Sequence, residues 1–349
     1  MQYNQNLRFP THVLTDFDND RLFISDTGHN RIIVASLDGE IQTLIGNGIE
    51  GMSDGSFEAA QFSQPQGLVQ LGEILFAADT SNHLIRMIDL EFSNVDTIAG
   101  TGFPAGGRVD GGPALEIDLE SPWDMTLIGR DLYISMNGRS QIWTYSLDSG
   151  VIQAVVGQGI QGFKDGAPEE ALLLDPSAIA SDEDGVIYFL DTVASAVRCA
   201  DLTTSHAVWT ILGNAKFDSG DIDGAMPEAR LRMPQGVTEN GGVLYISDTH
   251  NHKIRRIGLT TEGVSTIAGV KQKGFRDGNF ADARFNEPRG ISIAGDKIFV
   301  ADNVEPKVHP PTEPAVAFTL PSPVTWKPLD DINKCDLFVK VLPDAEPLI

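Results

Sequence analysis

Five aspartates, Asp26, Asp79, Asp191, Asp248 and Asp302, each close a short apolar run, and Asn82, His83, Asn251 and His252 follow two of them at offsets of three and four residues. Carboxylate, amide and imidazole groups at such offsets could ligate a metal, move a proton or tie down a turn. With Met136 in the missing place, successive intervals are 53, 57, 55, 57 and 54 residues. Six equivalent positions of one recurring unit lie far apart around a ring, whereas a metal needs its ligands about 2 Å away. These residues, and His29 with them, therefore read as structural corners: the Asp accepts backbone N–H bonds after its strand, and the Asn or His bonds back across the hairpin.

The elements that carry them are short. "LYISDTHNHKIRRI" (244–257) and "VSTIAG" (264–269) alternate apolar residues and break at Gly, Asp and Asn, the pattern of antiparallel strands. Adding the run that opens at "PQGLVQL" (65–71) gives four strands per unit, too few to bury both faces alone. The fold expected is all-β, a six-bladed β-propeller of four-stranded antiparallel blades with an irregular last blade. After "IFVADN" (298–303) the sixth unit runs into four prolines, which cannot donate ladder hydrogen bonds. Another segment must finish that blade, and "AVAFTL" (315–320) is favoured over residues 1–8. Residues 1–309 are thus assigned to the propeller and 310–349 to a proline-rich, β-like tail.

Between units a loop recurs, as in "DGSFEAAQFSQPQG" (54–67) and "DGNFADARFNEPRG" (277–290). Asp-Gly makes a turn, the Ala-containing segment forms one helical turn, and a bulky residue (Phe62, Leu173, Leu231 or Phe285) anchors it between blades. Such loops seal blade edges, and they crowd one rim where they can shape a binding surface. The starts of the innermost strands supply the candidate channel and rim residues: His12, Gln66, Trp123, Asp124, Gln235 and Arg289.

Composition removes several classes of function. A formal charge of −24, from 25 basic against 49 acidic residues, disfavours nucleic acid and anionic membranes as partners. No apolar run approaches the roughly 18 residues of a membrane span, and "MQYNQNLRFP" lacks a signal-peptide pattern. Cys199 and Cys335 form no metal-binding or disulfide pattern, which fits a reducing compartment, and a monomeric, cytoplasmic protein is expected. HExxH and phosphate-loop motifs are absent. Acidic runs at 16–20, 181–185 and 218–224 have the alternating oxygens that calcium favours, but none continues into an EF-hand loop, and turn chemistry is the reading preferred. No cofactor is expected beyond a possible bound Ca²⁺.

"DTSNHLIR" (79–86) and "DTHNHKIR" (248–255) resemble the NHL repeat, a propeller repeat named for Asn-His-Leu. The long Asp-Gly loops, with "SPWD" (121–124) and "QIW" (141–143), resemble the branch of that family containing NHL repeat-containing protein 2 and its bacterial relatives, over about residues 7–303. The resemblance implies a thioredoxin-like domain before the propeller and a β-rich domain after it. This chain shows no such leading domain, and its tail looks like the start of the trailing one. The function expected is a non-enzymatic scaffold that binds a protein or peptide on one rim, with a thioredoxin-like partner in view. The alternative is a metal-dependent hydrolase or lyase with its site in the central channel.

Overall fold

The computed structural model describes residues 7–303 except 108, 183, 215–217, 261–262 and 279–281, together with the strand Phe318–Thr319. The repeat folds as an all-β propeller. Blade one is a meander of His12–Asp16, Arg21–Asp26, Arg31–Ala35 and Ile41–Ile45. The first strands of successive blades, His12–Asp16, Pro65–Leu71, Pro122–Ile128, Pro176–Ser181, Gly236–Glu239 and Ile291–Ala294, each neighbour the next and surround the channel. The last of them meets the first: the Thr15 hydroxyl donates to Ile293 O at 2.9 Å, and Gly290 N donates to Thr11 O.

Six uniform four-stranded blades are not what forms. Among the described residues there are five blades of four or five strands, and the sixth unit supplies Ile291–Ala294 and Lys297–Val300. Within "AVAFTL", Phe318–Thr319 pairs antiparallel with Lys297 and Ile298, as expected of the favoured segment. Residues 1–6 and the rest of the tail, including Cys335, lie outside the described residues. Blades two, three and five gain their fifth strand from the heads of the Asp-Gly loops: Gly55–Ser56, Gly111–Pro113 and Gly224–Ala225 pair with the outermost strands.

The core lies between blades. Phe23, Ile32, Val34 and Ile45 of blade one meet Leu68, Leu75 and Ala77 of blade two, and the intervening loop inserts Phe57, Ala60 and Phe62 among them. One helical turn places those residues, with Ala60 N donating to Ser56 O at 2.8 Å. Leu173, Leu231 and Phe285 are buried in the same role at later junctions. Full burial of one such side chain contributes about 1.5–3 kcal/mol.

Each signature aspartate fastens the loop that enters its own blade. Asp79 accepts from Ser63 N, the residue after the Phe62 plug; Asp191, Asp248 and Asp302 accept from Leu174 N, Arg232 N and Asn286 N, and Asp26 accepts from Arg8 N. A wholly buried arginine seven residues on completes the clamp. Arg86 bridges Asp79 at 2.8 Å and Asp54 of the Asp-Gly turn at 2.7 Å, and it donates to Gln61 O and Ser53 O. Arg198 joins Asp191 to Asp165, and Arg255 joins Asp248 to Asp221 and Asp223. Burial pushes Asp79, Asp191 and Asp248 up to about 6 against the pull of their arginines. Asp302, with no arginine bound to it among the described residues, rises further, to about 7. In blade three Met136 replaces the Asp and Trp143 replaces the Arg, both nearly fully buried. The charged pair has been exchanged as a unit for an apolar one.

A second set of bonds runs between blades. The Thr hydroxyl after four of the aspartates donates to the Pro carbonyl that opens the next inner strand: Thr27 to Pro65, Thr80 to Pro122, Thr192 to Pro234 and Thr249 to Pro288, all at 2.7–2.8 Å. The histidines belong to this set. Asn82 and Asn251 do bond back to their own aspartates, but His83 and His252 do not. Both sit in left-handed backbone, where the imidazole Nδ1 accepts from Ser121 N (3.0 Å) and Glu287 N (3.2 Å) of the following blade. Burial lowers both imidazole pKa values, which suits a neutral acceptor. His29, whose place in the turn is one residue earlier, instead contacts Asp26 at 2.9 Å.

Two outcomes follow from the clamps. Arg86→Leu should cost about 3–5 kcal/mol in denaturant unfolding by leaving Asp79 buried and uncompensated, and Asp79→Met with Arg86→Trp, the blade-three pair, should recover most of that loss. Because the folded pKa of Asp302 lies near 7 and its ordinary value is 3.8, its contribution is full at low pH and is lost as pH rises through 7. Asp302→Asn should therefore flatten the decline in melting temperature across that window, as read from melts at a series of pH values.

Candidate functional site

The starts of the inner strands build one mouth of the channel. Thr11, Gln66, Trp123, Ser177, Gln235 and Arg289 each follow the proline that opens their strand, one to a blade. Gln66 is buried, and the others at this level range from buried to half-buried. Arg289 is half-buried; burial lowers its pKa, Glu287 opposes the shift, and its Nε has no hydrogen-bond partner among the described residues.

One residue deeper stand His12, Gly67, Asp124, Ala178, Gly236 and Gly290, in register with the second strands through His12–Ser25, Asp124–Ser135 and Gly236–Ser247. Glycine is required at three of these places by crowding, and at Gly236 a Cβ would collide with Arg289 O. A Cβ on Gly67 would overlap the Cα and carboxylate of Asp124, and one on Gly290 would fall 2.5 Å from His12 Cα. The absent side chain of Gly67 lets two candidates from different blades meet: His12 Nδ1 of blade one lies 3.5 Å from Asp124 Oδ1 of blade three. Asp124 also accepts from Met125 N at 2.9 Å and Ile179 N at 3.1 Å, and Ser135 Oγ accepts from Asp124 N. Burial raises the pKa of Asp124, and His12 draws it back. The pair therefore spans blade two inside the channel. Among the described residues no group of three His, Cys, Asp or Glu comes together as a metal site would need.

The acidic runs are committed elsewhere. Arg21, Asn19 and Gln70 surround Asp16, Asp182 accepts from Val186 N and Tyr188 OH, and Asp221 takes both Lys253 and Arg255. Cys199 is a free, buried thiol whose pKa burial pushes up, so its thiolate is disfavoured.

The rim that carries the loops is apolar in a repeated way. Ile49, Phe103 and Ile160 follow Gly-X-Gly turns at three consecutive junctions and are 62%, 68% and 62% exposed. Met52, also exposed, packs its Sδ over Gly102 beside Phe103. The glycines at 46, 48, 100, 102, 157 and 159 all have positive φ, so these turns hold the apolar residue outward on left-handed backbone. The sequence signal was present in "GNGI", "GTGF" and "GQGI", a pattern that attention to the Asp-Gly heads passes over.

Comparison with known proteins places these features. No protein-family profile matches the chain. It is 38% identical over 310 residues to Protein SUPPRESSOR OF QUENCHING 1, chloroplastic, of Arabidopsis thaliana, covering 85% of this chain and 29% of that one. It is 35% identical over 329 residues to NHL repeat-containing protein 2 of Homo sapiens, covering 85% and 45%. The chain thus spans less than half the length of these relatives. Among solved structures it resembles streptogramin B lyase (TM-score 0.53, 12% identity, 87% and 93% covered) and a chain of a nidogen/laminin complex (0.51, 16%, 74% and 80%), a likeness of fold alone.

The packing at Gly67 is directly testable. Gly67→Ala should cost about 1–3 kcal/mol by forcing Asp124 aside, whereas Gly106→Ala, where a Cβ meets nothing, should leave denaturant unfolding unchanged.

Proposed function

Because this chain belongs to the NHL-repeat family of β-propellers, we propose that it is a non-enzymatic scaffold whose loop-bearing rim holds a protein or peptide partner. The observation supporting this is the row formed by Ile49, Met52, Phe103 and Ile160 at successive junctions. Exposed apolar side chains repeated along one edge suit a partner surface, and the polar mouth inside them, with Gln66, Trp123, Gln235 and Arg289, suits orientation of that partner. The family resemblance points to a thioredoxin-like domain as such a partner. A cytoplasmic or other reducing compartment agrees with the buried free thiol of Cys199. No helix among the described residues is long and apolar enough to cross a membrane. A channel hydrolase or lyase would have to add further ligands to His12 and Asp124, and a surplus of 24 negative charges argues against nucleic acid.

The test is selection of phage-displayed peptides on the immobilised propeller, followed by titration of the recovered peptides. Phe103→Asp with Ile160→Asp should weaken them at least about tenfold, equivalent to about 1.4 kcal/mol. Phe92→Asp, at an exposed hairpin turn of the opposite rim, should not. Recovery of no peptide, or binding indifferent to both rim substitutions, defeats the reading.

A further inference from the structure

At two junctions the third residue after the Asp-Gly aspartate helps fill the gap between adjacent blades, while between blades two and three it is the exposed Pro113 and the same loop fills its gap with Ala114, Ile117 and Leu119. At the first junction it is Phe57, buried in the shared core, and at the junction between blades four and five it is Met226, packed against that core. At the junction between blades three and four it is Pro168, a smaller side chain without reach. The facing sheet is also less filled there. Thr144 stands where blades one, two and four have Val34, Met87 and Cys199, all of which pack into their inter-blade cores. Both changes withdraw apolar volume from one place, and there a cleft of about 650 Å³ opens between blades three and four.

The cleft is amphipathic. Tyr133, Val155, Leu202 and Pro168 give it apolar wall, while Asp131 and Glu169 place two carboxylates on its lining. No Lys or Arg lines it, and no ion pair engages either carboxylate among the described residues. The neighbouring acids are occupied, since Asp148 pairs with Arg130 and Glu170 with Lys164. Two uncompensated carboxylates beside an aromatic ring and aliphatic wall fit a side chain with a hydrocarbon stem and a planar cationic end. A guanidinium meets both features, because it bonds carboxylates through a fixed fork and stacks on aromatic faces.

We propose that this cleft receives the side chain of an arginine presented by a basic peptide segment. The chain's charge of −24 favours such an encounter by long-range attraction, and the cleft supplies the local fit. Asp131 and Ser149 belong to hairpin ends on the rim opposite the loop turns, so this site is separate from the apolar row of Ile49, Phe103 and Ile160.

The probe is Nα-acetyl-arginine methylamide, titrated by ligand-observed NMR at physiological salt, against its neutral citrulline isostere and the lysine analogue. The arginine compound should bind in the millimolar range, near 4 kcal/mol, with the citrulline isostere not binding and the lysine analogue weaker. Asp131→Asn with Glu169→Gln should reduce arginine binding at least about tenfold, and Thr144→Met, which fills the cleft as blade two fills its own, should abolish it with melting temperature kept or raised. Phe103→Asp should leave it unchanged, which separates this site from the rim. Absence of wild-type binding, equal binding of citrulline or of lysine, or binding unaffected by both cleft variants would overturn the assignment.

Discussion

A guanidinium with no exposed surface must have its charge met by carboxylates and carbonyls, and that requirement organises blades two, four and five. Arg86, Arg198 and Arg255 cannot be buried until the Asp-Gly loop has come round the outer edge of the blade with its own aspartate. Loop and blade are therefore ordered together. The loop's aspartate in turn fixes the outermost strand, since Asp54 and Asp165 accept from Thr97 and Thr210. The plug residue that seals the junction is held one position before the backbone N–H that the signature aspartate takes. Edge protection, inter-blade packing and corner geometry thus depend on one buried cation.

Much of the fold is legible in the sequence because its signals are local and repeated. Alternation within "VLYISD", the Asp-Gly turns and the 55-residue rhythm each require only neighbouring residues to be interpreted. The arginine clamp was missed although its offset of seven residues recurs three times, because an arginine within a strand ordinarily signals an exposed face. The exchange of Asp and Arg for Met136 and Trp143 carries the same information in reverse, and it becomes intelligible only once the two positions are known to touch. Fifth strands were missed for a different reason: Gly55–Ser56 has no strand pattern and acquires its pairing from the edge it happens to cover.

The site was legible in parts. His12 and Asp124 stand out because they interrupt apolar inner strands, but their approach depends on Gly67, which belongs to a third strand and has no side chain to announce the space. The turn histidines carried the correct structural meaning and the wrong partner. A left-handed backbone directs His83 and His252 away from their own hairpins, towards the next blade, and no spacing rule within one copy contains that direction. The cleft beside Thr144 and Pro168 is an absence of bulk at two positions remote in sequence, visible only by comparing each with its counterparts in other copies.

The side chains of Thr27, Thr80, Thr192 and Thr249 all reach forward from a blade to its successor, donating to a proline carbonyl there, and those of His83 and His252 reach forward to accept from a backbone N–H. A blade is consequently a directional building unit, with one flank that offers side chains and one that offers backbone groups to meet them, and the ring is a cyclic head-to-tail oligomer of such units written into one chain. Gene duplication can lengthen or shorten an assembly of this kind without inventing a new joint, because every copy arrives with both halves of the connector. Blade three shows the complementary freedom: its interior pair is Met136 and Trp143, while Asn137 reaches forward to the Pro176 carbonyl as the threonines of other blades do. The joint between blades and the interior of a blade are therefore separable parts, and one can differ between copies while the other stays the same.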